Sequence, residues 1–109
     1  MEDADFETMW RVNIIHGTFL LKCLSKKLMD REKRCAVLFT SSMAAYVNYS
    51  AYSATKISLS NFGESISFEL KNNVDVLVWE PGFVHSNLHL GKPPSGTIAT
   101  DIAVTGVLK

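Results

Sequence analysis

Tyr52 and Lys56 are the two side chains whose types and spacing are typical of proton-transfer chemistry. If the residues after Ser50 form a helix, positions i and i+4 are neighbours, and the phenol then lies beside the ammonium. A tyrosine ordinarily titrates near pH ~10, and a nearby positive charge favours its phenolate. The pair could therefore exchange a proton with a substrate near neutral pH. The spacing alone also fits an exposed helix turn, so other residues have to support the functional interpretation.

The elements that would position this pair are two apolar stretches of strand length on either side of it. Residues 35–40 and 74–79 are nearly continuous apolar runs, the pattern of strands buried on both faces of a parallel sheet. A helix that joins two such strands makes a parallel crossover, in which ligands bind beyond the carboxyl ends of the strands. Ser42, Tyr52 and the turn Pro81-Gly82 all fall at that edge. We therefore expect a candidate site there.

The first part of the sequence predicts a long helix that carries Asn13. Asp3 or Asp5 can cap its beginning, and lysines lie near its end, which agrees with the helix dipole. Its middle is apolar nearly all round, so we expect it to be buried on more than one side. The fold class is α/β, a partial Rossmann-like parallel sheet in a single partial domain. Its predicted parts are a helix with Asn13 (5–29), a strand and serine loop (35–42), a helix with the Tyr-Lys pair (51–72), a strand and Pro-Gly turn (74–82), and a loop with a truncated helix (83–109).

Composition excludes several classes of function. The chain has 109 residues, 47% of them hydrophobic and 20% charged, which indicates a globular domain. A net charge of zero gives no electrostatic case for nucleic acid or an anionic membrane as partner, and no apolar run is long enough for a membrane span. Cys23 and Cys35 form no Cys-x-x-Cys pair, and no secretory leader precedes them, so we expect reduced core thiols in the cytoplasm. The histidines have no metal-ligand spacing, so no metal site is predicted.

Four stretches occur in an order that resembles the catalytic half of the short-chain dehydrogenase/reductase family. They are an asparagine on a helix (Val12-Asn13-Ile14), a strand that ends in serine (Val37 to Ser42), a helix with Tyr-x-x-x-Lys (Tyr52 to Lys56) and a strand that ends in Pro-Gly (Pro81 to Ser86). Their joint order covers most of residues 5–90 and is far more specific than any single motif. The segment around Tyr52 is most similar to the hydroxysteroid dehydrogenase and long-chain 3-ketoacyl reductase branch.

The resemblance implies a NAD(P)-dependent exchange between a ketone and a secondary alcohol on a lipid-like or steroid-like substrate. Tyr52 would be the acid/base, and Ser42 would hydrogen-bond the substrate oxygen. Lys56 would hold the nicotinamide ribose and lower the tyrosine pKa, while Asn13 would complete a proton relay through water. The residues implied around the cofactor are Tyr52, Lys56, Pro81, Gly82, Val84 and Ser86. A parent enzyme with an anchor would place this chemistry on the cytosolic face of the endoplasmic reticulum.

The sequence departs from the family pattern in two ways. Ser42 is closer to Tyr52 than is usual in the family, so Ser41 is an alternative for the serine role. No Gly-rich turn of the Thr-Gly-x-x-x-Gly-x-Gly kind is present, and the N-terminal dinucleotide-binding strands are missing. We therefore expect a partial product of a longer dehydrogenase gene, or a fragment completed by a partner chain, and we expect the isolated residues to be inactive.

Two parallel strands alone would expose both edges and much of their faces, so the lone chain should be marginally stable. The alternative function is a non-catalytic truncated module that pairs with itself or with a full-length relative. The surfaces expected to form such a homo- or heterodimer are helices 5–29 and 51–72.

Overall fold

The computed structural model describes residues 2–47, 50–70, 73–84 and 95–108. The two strands of the described sheet are parallel and in register from Cys35 opposite Val74 to Thr40 opposite Trp79. This arrangement confirms the predicted α/β class with a partial Rossmann-like sheet. The elements in chain order are α1 (Asp3–Trp10), a π-helical turn (Arg11–Ile15), α2 (His16–Met29), β1 (Cys35–Thr40), a 3-10 helix (Met43–Tyr46), α3 (Ser50–Glu69), β2 (Val74–Trp79) and α4 (Thr100–Val107).

The strands begin and end at the predicted residues, whereas the helix bounds differ by a few positions. The first helix begins at Asp3, with Asp3 and Asp5 in its first turn, and no side chain caps it. The second long helix begins at Ser50 and ends at Glu69, and residues 71–72 of its predicted end lie outside the described residues. Ser50 has a φ of +48° and is itself the first residue of α3. The short C-terminal helix is present over Thr100–Val107.

The core lies between the sheet and the long helices α2 and α3. Gly63 brings α3 close to both strands, because a Cβ at this position would contact Val78 of β2 and lie 3.1 Å from the Phe39 ring of β1. Phe39 also packs edge-on against Phe62, with ring centroids 5.7 Å apart. The buried cluster consists of Leu21, Phe39, Leu59, Leu70 and Val74.

The other face of the sheet is open, so the expectation of strands buried on both faces is wrong for this chain. Leu38 and Leu77 are 47% and 48% exposed. A cavity of about 390 Å³, lined by Leu77 and Ile102 among others, lies between β2 and α4. The open face agrees with the exposure expected of two isolated parallel strands. None of the helices in the described part of the chain has the length and hydropathy that a bilayer crossing requires.

The first helix is likewise covered on one side only, which corrects the expectation of burial all round. Leu21 is its buried residue, while Val12 and Phe19 are each 61% exposed. Cys23 is exposed as well, so it is a free surface thiol and not a core residue. Apolar periodicity identifies the surface that could be buried but not the element that covers it.

Candidate active site

The Tyr52 and Lys56 side chains lie together in the first turns of α3. The Lys56 Nζ is 5.6 Å from the centroid of the Tyr52 ring, so the ammonium stands over the phenol face. This is the geometry of a cation held against an aromatic ring. The helix therefore produces the pairing that the spacing predicted.

Lys56 is also anchored to the sheet. Its Nζ donates a hydrogen bond of 3.1 Å to the carbonyl oxygen of Thr40, the last residue of β1. Burial lowers the pKa of the Lys56 ammonium below its ordinary value. A positive charge is thus held at the carboxyl end of the first strand, close to the tyrosine.

The two neighbouring serines have different environments. Ser41 is 2% exposed, and its Oγ donates to the Lys56 carbonyl oxygen at 2.8 Å. Ser42 is half-buried and caps the 3-10 helix, because its Oγ accepts from the Ala44 backbone N at 3.1 Å. Ser42 also faces an apolar cavity of about 400 Å³. The residues that line it are Ser42, Met43, Ala44, Val47, Gly82, Phe83 and Gly96.

Asn13 lies in the π-helical turn between α1 and α2, and such turns are frequent at functional sites. Its Nδ2 donates to the Thr55 Oγ1 at 3.0 Å, and that hydroxyl in turn donates to the Tyr52 carbonyl oxygen at 2.8 Å. Thr55 is fully buried. The asparagine is therefore coupled to the helix turn that carries Tyr52, through a threonine that sequence reasoning did not assign to the site.

The Pro-Gly turn closes the same edge of the sheet. The Met43 backbone N donates to the Pro81 carbonyl oxygen at 3.0 Å, which joins the two loops that follow β1 and β2. A Cβ on Gly82 would lie 3.3 Å from the Met43 Sδ, so glycine leaves the methionine room beside the cavity. Val84 forms an isolated parallel bridge with Ile98. Ser86 lies outside the described residues.

Glu80 is a second residue of this edge that sequence reasoning missed. Its carboxylate accepts from the Tyr46 hydroxyl at 2.9 and 3.1 Å and from the Ser60 Oγ at 2.5 Å. The hydrogen bond to Glu80 raises the pKa of Tyr46 above its ordinary value. The sequence feature that could have identified Glu80 is its position, because it lies between a buried strand and a Pro-Gly turn at the edge where the site was predicted.

The structure thus brings Ser42, Tyr52, Lys56 and Gly82 to one edge of the sheet, as predicted from the topology. It does not place Tyr52 among the described residues that line the 400 Å³ cavity. The chemistry of this edge is that of a phenol near a fixed cation, beside a hydroxyl on an apolar cavity. Among the described residues, no group of three or more His, Cys, Asp and Glu side chains could hold a metal ion.

Comparison with known proteins identifies the family of the chain and supports its fold. The sequence model of the family described as short chain dehydrogenase matches residues 1–93. A crystal structure assigned to the short-chain dehydrogenase/reductases, from Burkholderia xenovorans, is similar with a TM-score of 0.68 and 24% sequence identity. The match covers 80% of this chain and 38% of that one, so the present chain spans well under half of the longer protein. No curated protein matches significantly. Because the family match extends over most of its length, the chain belongs to the short chain dehydrogenase family.

Proposed function

We propose that the chain is the catalytic part of a NAD(P)-dependent oxidoreductase that interconverts a ketone and a secondary alcohol, organised as a single partial domain. The proposal rests on the Lys56 ammonium, which lies 5.6 Å from the Tyr52 ring centroid and is bonded to the last carbonyl of β1. Family membership supports the cofactor class, since these enzymes generally use NAD(P). The isolated 109 residues are inactive under this proposal, because they contain no Gly-rich turn for the pyrophosphate.

Tyr52 is the acid/base in this proposal. Its hydroxyl donates a proton to the carbonyl oxygen during ketone reduction and removes a proton from the alcohol during oxidation. The Lys56 ammonium lies 5.6 Å from the centroid of the Tyr52 ring and is held by the Thr40 carbonyl oxygen, so the pair keeps a defined geometry. Asn13 supports a proton relay behind the pair, because its amide is bonded to Thr55, one helix turn from Tyr52.

Ser42, and not Ser41, is the serine that holds the substrate oxygen. The environments support this choice, because the Ser41 hydroxyl is buried against the Lys56 carbonyl, whereas Ser42 lines the cavity. A hydroxyl that faces the carbonyl oxygen stabilises the charge that develops there during hydride addition. Ser41 therefore has a structural role, and Ser42 has the catalytic one.

The residues fit one end of the cofactor. The Lys56 cation suits the ribose. Gly82 has no side chain and so suits the nicotinamide ring, and Pro81 and Val84 belong to the same group of residues. Ser86 completes this set by resemblance. When bound, the nicotinamide supplies or accepts the hydride at the substrate carbon. The adenine and pyrophosphate require residues beyond those of this chain.

The substrate class is lipid-like or steroid-like, in line with the hydroxysteroid dehydrogenase and long-chain 3-ketoacyl reductase branch. The apolar lining of the cavity by Met43, Val47 and Phe83 supports it. An apolar pocket with one well-placed hydroxyl suits a hydrophobic molecule with a single reactive oxygen.

The proposal is tested first on the chain itself. Calorimetry with NADH and NADPH is expected to show no micromolar binding to the 109 residues, and clear binding would contradict the view that the fragment is inert. The second test fuses residues 5–109 behind the dinucleotide-binding half of a short-chain reductase and measures NADPH-dependent reduction of hydrophobic ketones.

In that fusion, the substitution Tyr52→Phe is expected to lower kcat by ~100-fold or more while cofactor binding is kept. Ser42→Ala is expected to lower kcat, and Ser58→Ala is its matched control, because the Ser58 hydroxyl bonds only one turn back to the Ala54 carbonyl oxygen. A fusion that binds NADPH and reduces ketones equally well with Tyr52→Phe would refute the proposed acid/base.

A second candidate function is favoured by the exposed apolar residues of the helices. Val12, Phe19 and Leu20 of the first helix and Phe68 of α3 are 61%, 61%, 51% and 86% exposed. Such patches are uncommon on monomers and mark interaction surfaces. We propose on this ground a non-catalytic module that dimerises through the two long helices. Size-exclusion chromatography with light scattering tests it, and a monomer at high concentration would exclude it.

A further inference from the structure

The Glu80 carboxylate is the point where three elements of the site edge meet. It follows β2 directly, it accepts from Tyr46 at the end of the 3-10 helix, and it accepts from Ser60 on α3. Hydrogen bonds to an ionised carboxylate are roughly twice as strong as those between neutral groups. One side chain thus joins the strand, the short helix and the long helix.

The Ser60 arm leads to the backbone of Lys56. The Ser60 Oγ lies 2.7 Å from the Ser41 Oγ, and these two hydroxyls lie 3.2 and 2.8 Å from the Lys56 carbonyl oxygen. Ser60 and Ser41 are 4% and 2% exposed, so water does not replace these contacts. With the Ser41 hydrogen on the Lys56 carbonyl oxygen and the Ser60 hydrogen on Glu80, two adjacent buried hydroxyls hold this turn of α3, the first to the end of β1 and the second to the end of β2.

The Tyr46 arm leads to Ser42. The 3-10 helix runs over Met43–Tyr46, so Ser42 caps its beginning and Tyr46 is its last residue. The bond from the Tyr46 hydroxyl to Glu80 ties this helix to the end of β2. Ser42, which lines the cavity, is thereby fixed relative to the Pro81-Gly82 turn.

We infer that Glu80 is a positioning residue, which holds the α3 turn of Lys56 through Ser60 and holds Ser42 through Tyr46. The inference rests on the proposed function for its catalytic meaning, since it concerns the same edge of the sheet. Its geometric content is independent of catalysis. Glu80 sets the placement of the lysine and the cavity serine whether or not the chain turns over a substrate.

The test uses the 109-residue chain with a uniform backbone amide label and labelled lysine and tyrosine side chains, followed by NMR during a pH titration. Glu80→Ala is expected to raise the Lys56 pKa toward the ordinary lysine value, because α3 loses its anchor and water reaches the ammonium. Glu80→Gln is expected to keep the Lys56 pKa closer to that of the unchanged chain, because its amide oxygen still accepts from Ser60.

Tyr46 reports the contact itself. Glu80→Gln is expected to lower the Tyr46 pKa, because a neutral amide no longer disfavours the phenolate. The other charged group that acts on this phenol is Glu64 of α3. Glu64→Gln is the matched control, and it is expected to move the Tyr46 pKa less and to leave the Lys56 pKa unchanged.

A folded Glu80→Ala variant with an unchanged Lys56 pKa and an unchanged Ser42 amide resonance would overturn the inference. Should Glu80→Ala fail to fold, Tyr46→Phe removes one arm at an exposed residue, and it is expected to shift the Ser42 amide but not the Lys56 signals. An unshifted Ser42 amide in that variant would also overturn it. If these shifts occur while the fusion with Tyr52→Phe stays active, the positioning role stands and the proposed catalytic function fails.

Discussion

The sheet edge that carries the candidate site and the outer surface of the helices differ in how many of their side chains find partners within the chain. At the site edge, the Ser41 hydroxyl donates to the Lys56 carbonyl oxygen and the Ser60 hydroxyl donates to Glu80. On the outer surface, Phe19 is 61% exposed, and other large apolar side chains are exposed as well. The polar groups of the edge therefore find partners within the chain, whereas many apolar side chains are not buried.

This difference shows that a functional site and a stable domain have different structural requirements. Hydrogen-bonded edges are built by neighbouring loops and helix turns, so part of a fold can hold them. Hydrophobic burial needs a second layer against every apolar face, and parallel sheets normally have helices on both faces. The chain therefore carries a hydrogen-bonded strand edge on a core that is covered on one side.

The strongest test of the contrast compares two adjacent leucines of α2. Leu21 is 5% exposed in the core cluster, while Leu20 is 51% exposed. Leu21→Ala is expected to lower the free energy of unfolding by about 2–5 kcal/mol, because it removes buried methyl groups and leaves a cavity. Leu20→Ala is expected to change it by less than about 0.5 kcal/mol. Urea unfolding measures both, and an equally large loss for Leu20→Ala would show that this face is covered in solution.

The second largest effect on stability is expected at the contact between α3 and the sheet. Gly63→Ala is expected to destabilise the fold by about 1–3 kcal/mol, because the new methyl group would press on Val78 and Phe39. Gly17→Ala in α2 is the matched control, since a Cβ there would meet nothing within 4 Å. It is expected to stabilise the fold by about 0.5–1 kcal/mol through helix propensity. A neutral result for Gly63→Ala in thermal unfolding would mean that α3 sits farther from the sheet.

Sequence patterns were sufficient for the parts of this structure that local chemistry determines. The strand bounds follow from apolar runs that end in the charged residues before Cys35 and in the turn at Pro81. The positions of Ser42 and Gly82 on one cavity follow from the crossover, since parallel strands end at the same edge. These predictions needed periodicity and topology alone.

The remainder depends on contacts between distant parts of the chain. Ser60 meets Ser41 and Glu80 over sequence separations of 19 and 20 residues, which no local pattern encodes. The π-helical turn around Asn13 could not be predicted either, because the local sequence favours a regular helix. The covered face of each apolar helix is decided by the neighbouring element, so residues 5–29 were predicted to be more buried than they are.

The link between Asn13 and Tyr52 is expected to have an intermediate effect. Thr55→Val keeps the volume of a fully buried side chain but leaves the Asn13 amide without its hydroxyl partner. The expected loss in free energy of unfolding is about 1–2 kcal/mol. Thr105→Val is the matched control, because the Thr105 hydroxyl bonds one turn back to the Asp101 carbonyl at an exposed site. Equal losses for the two variants in urea unfolding would argue that the Asn13 link contributes no stability of its own.

The smallest effect is expected at the ion pair between Arg34, which directly precedes β1, and Asp75 of β2. The Arg34 Nε donates to the Asp75 Oδ2 at 2.8 Å, and this bond lowers the pKa of Asp75 below its ordinary value of 3.8. Because the folded pKa is the lower one, the pair stabilises the fold above the unfolded pKa, and this contribution is lost as the pH falls through the folded pKa. The stability difference between the unchanged chain and Asp75→Asn should therefore be present near pH ~6 and vanish toward pH ~2. Both side chains are exposed, so ~1 M salt should shrink the difference by screening, and a difference that survives both acid and salt would have to come from packing of Asp75 and not from its charge.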